Sequence, residues 1–207
     1  MTPRRTTRTL VLIAGLAAVV VPLARTWALQ WGATDDDLDA DLPGDELVPD
    51  PLIGATRAIT IDAPPEQVWP WVVQLGLGRG GFYSYDRLER AFGLDVHSAD
   101  RVEQRWQSLA VGDAVHLGPE VALEVVRLDR NAAMVLAAPD SAWVWAFVLR
   151  PGRYGTTRLV VRERYARLGW WSRAAFEVLG VASTVMSRAM LRGIRDRVQG
   201  ARGPEVP

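Results

Sequence analysis

The sequence predicts an α+β domain in which an antiparallel sheet wraps around one long C-terminal helix, with two short helices after the first strand. Three observations carry that prediction. Five strand-like runs between residues 112 and 165 are separated by tight-turn signals, the mark of an antiparallel meander. A lone strand-like run, Arg57-Ala-Ile-Thr-Ile-Asp62, stands ahead of them and is followed by helix-type segments. From Trp170 to Val198 the apolar residues Trp171, Ala175, Leu179, Ala182, Met186, Met190, Ile194 and Val198 recur at helical spacing. Such a helix would be about 43 Å long and cross the whole domain.

In chain order, residues 1–33 carry four Arg and no acid. Leu10–Ala24 is fifteen residues without a charge or strongly polar group, preceded by Arg4, Arg5 and Arg8. That is short of the roughly 20 residues that span a bilayer, but a snorkelling Arg25 and the interfacial Trp27 and Trp31 extend the segment. Residues 1–32 therefore read as a retained transmembrane anchor. A cleaved signal, with a mediocre site at Thr26-Trp27-Ala28, and a buried helix are the alternatives. The basic flank should stay inside, which gives a single-pass membrane protein with its domain outside the cytoplasm.

Residues 33–56 hold eight acids and no base, together with Pro43, Gly44, Pro49 and Pro51. They read as an acidic linker, either a tether or an extended wrapping strap. The domain proper is expected over 57–199. After the first strand, Pro64-Pro65-Glu66 starts a helix whose apolar face includes Val68, Trp69, Val72 and Val73, and Pro70 inside it makes it short. Arg79-Gly-Gly-Phe-Tyr-Ser-Tyr-Asp86 is a glycine turn loaded with aromatic rings. A second short helix spans Tyr85–Phe92 and stops at Gly93. Residues 94–108 are irregular, anchored by Trp106. Strands follow from Gly112-Asp113 through Leu117 and at Val121–Leu128, Ala132–Ala138, Ala142–Leu149 and Thr157–Tyr165. Residues 200–207 are a tail.

Composition removes several functions. There is no Cys, so thiol catalysis, disulfides and thiolate-bound zinc are excluded. All 24 basic residues are Arg, as a GC-rich genome would give, and no aromatic-interleaved basic stripe points to nucleic acid. The twelve Arg from Arg150 onward read as a solvated face, with anionic lipid headgroups as the alternative contact. Gly76, Gly78 and Gly81 spell a dinucleotide fingerprint, but a helix precedes them where that motif needs a strand. No cofactor or metal is expected, since His97 and His116 lie in different elements and a catalytic metal needs three ligands.

Most of the candidate site residues are aromatic. Trp143, Trp145, Phe147 and Leu149 share one face of a strand, so that face should lie under the long helix, bounding either a cavity or a filled core. Trp71, Phe82, Tyr83, Tyr85, Trp106, Leu179 and Met186 complete the expected lining. Tyr83, Tyr85, His97 and Asp100 are the polar groups placed near its mouth. His97, Tyr85 and Asp100 are weak catalytic candidates for proton transfer. Arg158, Arg162 and Arg164 share a parity in the last strand; they should be solvated or, if buried, paired with Asp86 or Asp100.

Ala63-Pro-Pro-Glu-Gln-Val-Trp-Pro-Trp71, Arg79–Asp86, Val111-Gly-Asp113, Trp145-Ala-Phe-Val-Leu149 and Thr156-Thr-Arg-Leu-Val-Val-Arg162 resemble the START/birch-pollen-allergen superfamily, also called SRPBCC or polyketide cyclase/dehydrase-like. With Trp31-Gly-Ala-Thr34 and Leu42-Pro-Gly-Asp-Glu-Leu47, the resemblance is to a bacterial membrane-anchored branch. It covers about residues 31–198 and implies a helix-grip fold with a hydrophobic pocket, while transferring no catalytic residue. The function it implies is membrane-tethered binding or transport of a small hydrophobic ligand such as a lipid, isoprenoid or polyketide. The alternatives are a cyclase or dehydratase working in the same pocket and an interaction module with a filled core.

Overall fold

Among the described residues six strands form: β1 (Ile53–Ile61), β2 (Ala114–Gly118), β3 (Val121–Asp129), β4 (Ala133–Ala137), β5 (Trp143–Pro151) and β6 (Thr157–Tyr165). The computed structural model describes residues 15, 20, 22–86, 96–166 and 170–201, with the backbone alone over 170–182. The strands form one antiparallel sheet in the order β1-β6-β5-β4-β3-β2. Sequence neighbours β2 to β6 pair through short turns, and β1 closes the far edge by pairing with β6 along its whole length, from Ile53 opposite Tyr165 to Ile61 opposite Thr157. β1 begins four residues earlier than the expected 57 because Ile53–Thr56 continue that pairing.

Among the described residues the sheet is accompanied by helices α1 (Asp35–Asp39), α2 (Pro65–Val73) and α3 (Trp170–Gly200), besides a helical run ahead of α1. Pro65 opens α2 in the first turn, where its missing N–H costs nothing, and the helix runs only one turn past the point where Pro70 enters. The expected second short helix, Tyr85–Phe92, lies outside the described residues from position 87 onward, as does most of Leu10–Ala24. Residues 22–29 are helical, and among the described residues no helix is long and apolar enough to cross a membrane. The sheet, α2 and the 31-residue α3 together make a helix-grip α+β fold.

The inner face of the sheet is covered by helices and the outer face, over β4, β5 and β6, by a strap. On the inner face Phe147, Leu149, Leu159 and Val161 pack with Trp69 and Val72 of α2 and with Met190, Leu191 and Ile194 of α3. On the outer face lie the small residues at the alternate positions, Val144, Ala146, Val148 and Val160, and residues 34–50 form a strap across them. Leu42 and Val48 are the strap's apolar feet, packing on Ala133, Val148 and Val160 and on Val135, Val144 and Ala146 respectively. Small side chains on this face let the strap's backbone approach closely.

The strap also supplies the partners of the β6 arginines, which are neither solvated nor paired with Asp86 or Asp100. Arg158 Nε donates to Asp37 (3.1 Å), Arg162 pairs with Asp45, and Arg164 reaches Asp45 at 2.9 Å. Arg162 further donates to the Asp37 and Ala40 carbonyls, so an outward guanidinium is buried beneath the strap with its N–H groups satisfied. Asp37 is held by a capping box with Thr34: its carboxylate accepts from the Thr34 N–H (3.0 Å) and its own N–H donates to Thr34 Oγ1 (3.3 Å). Burial pushes the Asp37 carboxyl upward, but the Arg158 guanidinium and the Thr34 donors outweigh it and hold the group below its ordinary value.

Candidate functional site

Between the inner face and α3 lies a cavity of about 250 Å³. Phe82, Leu117, Trp143, Trp145, Met186 and Met190 form its apolar wall, and Ser84, Glu163, Tyr165, Ser183 and Ser187 its polar one. The strand alternation places these groups: Trp143 and Trp145 project inward from β5, Glu163 and Tyr165 from β6 beside them, and their registers align Trp143 with Tyr165 and Trp145 with Glu163. The rings fix one another. Trp143 stacks on Tyr165 with centroids 5.4 Å apart and on Trp145 at 6.1 Å, and Trp145 leans on Phe147 at 4.7 Å.

The polar wall is built around an ion pair. Glu163 Oε1 accepts from Arg57 Nη1 (2.9 Å) and Ser187 Oγ (3.1 Å); Oε2 accepts from Tyr165 Oη (2.9 Å) and Ser183 Oγ (3.3 Å). Four donors fill the four lone-pair sites of a carboxylate. Arg57, on the inward parity of β1, also donates from Nη2 to Thr184 Oγ1 (3.1 Å) and from Nε to the Ala28 carbonyl (3.2 Å). Arg57 is 1% exposed and Glu163 3%, so the charges are balanced inside the fold. Burial first, and then the adjoining Glu163 carboxylate, keep the Tyr165 phenol well above its ordinary pKa and neutral.

The glycine loop feeds the cavity from the other side. Gly76 and Gly81 bridge to each other at positive φ, 129° and 72°, and close the turn. Past them, Phe82 enters the cavity while Tyr83 turns into the core, at φ 56°, with its hydroxyl donating to the Trp71 carbonyl (3.1 Å) and its ring edge-on to Trp71. α3 crosses so close here that a Cβ at Gly193 would sit 2.0 Å from the Tyr83 carbonyl oxygen.

The residues expected from sequence separate into four places. Phe82, Trp143, Trp145 and Met186 line the cavity. Trp71, Tyr83 and Phe147 lie behind it in the packed core. His97, Asp100 and Trp106 border a different depression with Arg101 and Glu103, and Tyr85 is half-exposed outside both. The Leu179 side chain falls outside the described ones. Sequence reasoning passed over Glu163, Tyr165, Ser183, Ser187 and Arg57. Parity held the signal: Leu159, Val161, Glu163 and Tyr165 occupy alternate positions of one strand, so an acid follows two core residues on the inward face.

No protein-family model and no curated protein matches the chain in sequence. Among solved structures the chain is similar to a Polyketide_cyc-like protein from Corynebacterium glutamicum, at 16% identity and a TM-score of 0.39 over 77% of this chain and 100% of that one. It is also similar to CalC, a self-sacrificing resistance protein from Micromonospora echinospora, at 12% identity and a TM-score of 0.45 over 74% and 97%. A third likeness is to the protein SSP2350 from Staphylococcus saprophyticus, at 13% identity and a TM-score of 0.46 over 72% and 93%.

Proposed function

We propose that this protein binds one compact, uncharged, mostly apolar molecule in the cavity under α3, and that residues 1–32 tether it to a membrane. The cavity carries the first part of this reading: aromatic and thioether walls with one polar side are the composition of small-molecule sites. Its volume of about 250 Å³ lies near the lower end of small-molecule sites, which fits a one- or two-ring ligand. Net charge decides the ligand's. Glu163 is already neutralised by Arg57 and its lone pairs are spent, so a cation entering here would lose its hydration without gaining a carboxylate partner.

A binder is favoured over a cyclase by the same arrangement. Tyr85, His97 and Asp100, the proton-transfer candidates, are not among the cavity's lining residues. The test is calorimetric titration of the full chain in mild detergent with 2-naphthol, a neutral two-ring probe, against a Met186→Trp variant. Saturable 1:1 binding that Met186→Trp abolishes by filling the cavity is the expected outcome. Absence of binding to the wild type, or binding unchanged in the variant, would sink the reading.

Tethering rests on the uncharged run Leu10–Ala24, within which Val20 and Leu23 are exposed, and on the exposed Trp27 that follows it. The protein should stay in the membrane fraction after carbonate washing. A reporter after Pro207 active only in the cytoplasm would reverse the proposed orientation.

A further inference from the structure

We infer that docking of the N-terminal helical segment and occupancy of the cavity are coupled, with Arg57 as the positioning residue between them. The inference rests on the ligand reading above and goes beyond it: the segment leading from the membrane becomes part of the binding apparatus.

Two independent sets of contacts carry it. In the first, one guanidinium spans both places. Arg57 Nε holds the Ala28 carbonyl at the end of the helical run 22–29, while its Nη1 holds Glu163 in the cavity wall and its Nη2 holds Thr184 of α3. The next residue repeats the tie through the backbone, the Ala58 N–H donating to the Trp31 carbonyl (3.1 Å). Gly32 passes so near β1 that a Cβ there would lie 2.2 Å from the Ala58 carbonyl oxygen. If the segment undocks, Arg57 loses a buried acceptor, and a planar fork that must re-aim one N–H moves the others with it. Glu163, and with it Ser183 and Tyr165, would then follow.

The second set lies on α3. Arg188 sits over the rings of Trp27 (5.5 Å) and Trp31 (5.1 Å), and Arg192 over Trp31 (5.3 Å). The same stretch of helix presents Met186, Ser187 and Met190 to the cavity. Neither tryptophan is among the cavity's lining residues, so any effect of Trp27 on ligand affinity must travel through the dock. A ligand that fixes this wall must tighten the dock by the factor by which the dock tightens the ligand.

The test uses the full chain in detergent, with 2-naphthol as probe, and reads amide exchange over residues 22–33 alongside affinity. Saturating 2-naphthol should slow exchange there about fivefold, and Trp27→Ala, at a half-exposed side chain, should weaken 2-naphthol by a similar factor. In Arg57→Lys, which keeps the charge but cannot span Ala28, Glu163 and Thr184 together, 2-naphthol should bind without protecting residues 22–33. Binding to the wild type with exchange over 22–33 unchanged would overturn the coupling alone. Failure of 2-naphthol to bind would remove the coupling and the ligand reading together.

Discussion

Arg57 on β1 and Glu163 on the adjacent β6 form a buried ion pair at the cavity's polar side, and what each is worth depends on the other. Breaking a buried pair by removing one partner leaves a desolvated charge, which costs about 3–5 kcal/mol, whereas replacing both by apolar groups of similar volume is far milder. Glu163→Leu should therefore destabilise the fold by about that amount, and adding Arg57→Met should restore part of the loss, as read by urea unfolding of the two variants. A double variant less stable than Glu163→Leu would show that Arg57 holds the fold through Ala28 and Thr184 rather than through the pair. At this scale the sequence was legible in part. Trp143, Trp145 and Phe147 declared themselves by alternation in an uncharged strand. Glu163 did not, because Arg162-Glu163-Arg164 reads as a surface charge run. Its neighbours do belong to the outer face, and only the strand parity separates the one inward member from them.

Among the elements, the strands of the meander were readable because each is bounded by a turn whose residues are local: Gly118-Pro119, Asp129-Arg130-Asn131, Pro139-Asp140 and Pro151-Gly152. The strap was not readable in that way. Residues 34–50 have no period of their own, and what orders them is distant in sequence: Arg158, Arg162 and Arg164 lie more than a hundred residues away. An acidic tract and an arginine-bearing strand are each solvated by default, and only their pairing buries both. This makes the strap's attachment sensitive to acid. Asp37's carboxyl lies below its ordinary value of 3.8 in the folded chain, so its contribution is complete above 3.8 and is lost as the pH falls through the folded value. Asp37→Asn should accordingly lower the unfolding midpoint at neutral pH, and the gap from wild type should close as the pH drops below 3.8. A gap that stayed constant down to the acid limit would mean that Asp37 acts by shape and not by charge.

Across the whole molecule, the boundary between anchor and domain does not fall where composition changes. The charge reverses near residue 33, which divides the chain into a basic, apolar lead and an acidic linker. The contacts cut elsewhere. Trp31 packs against the main core, Ala58 donates to its carbonyl, Arg57 holds Ala28, and Arg158 donates to the Gly32 carbonyl. Residues 27–33 therefore belong energetically to the domain they precede. A chain beginning at residue 34 gives up a buried backbone hydrogen bond, the packing of one indole and the stacking of Arg188 and Arg192, with the regained freedom of the segment offsetting part of the loss. It should be about 1–3 kcal/mol less stable than a chain beginning at residue 22, measured by urea unfolding under identical conditions. Equal midpoints would mean that the segment rests on the domain without supporting it. A deficit would place the functional unit's true start inside what looks, by sequence alone, like the end of the anchor.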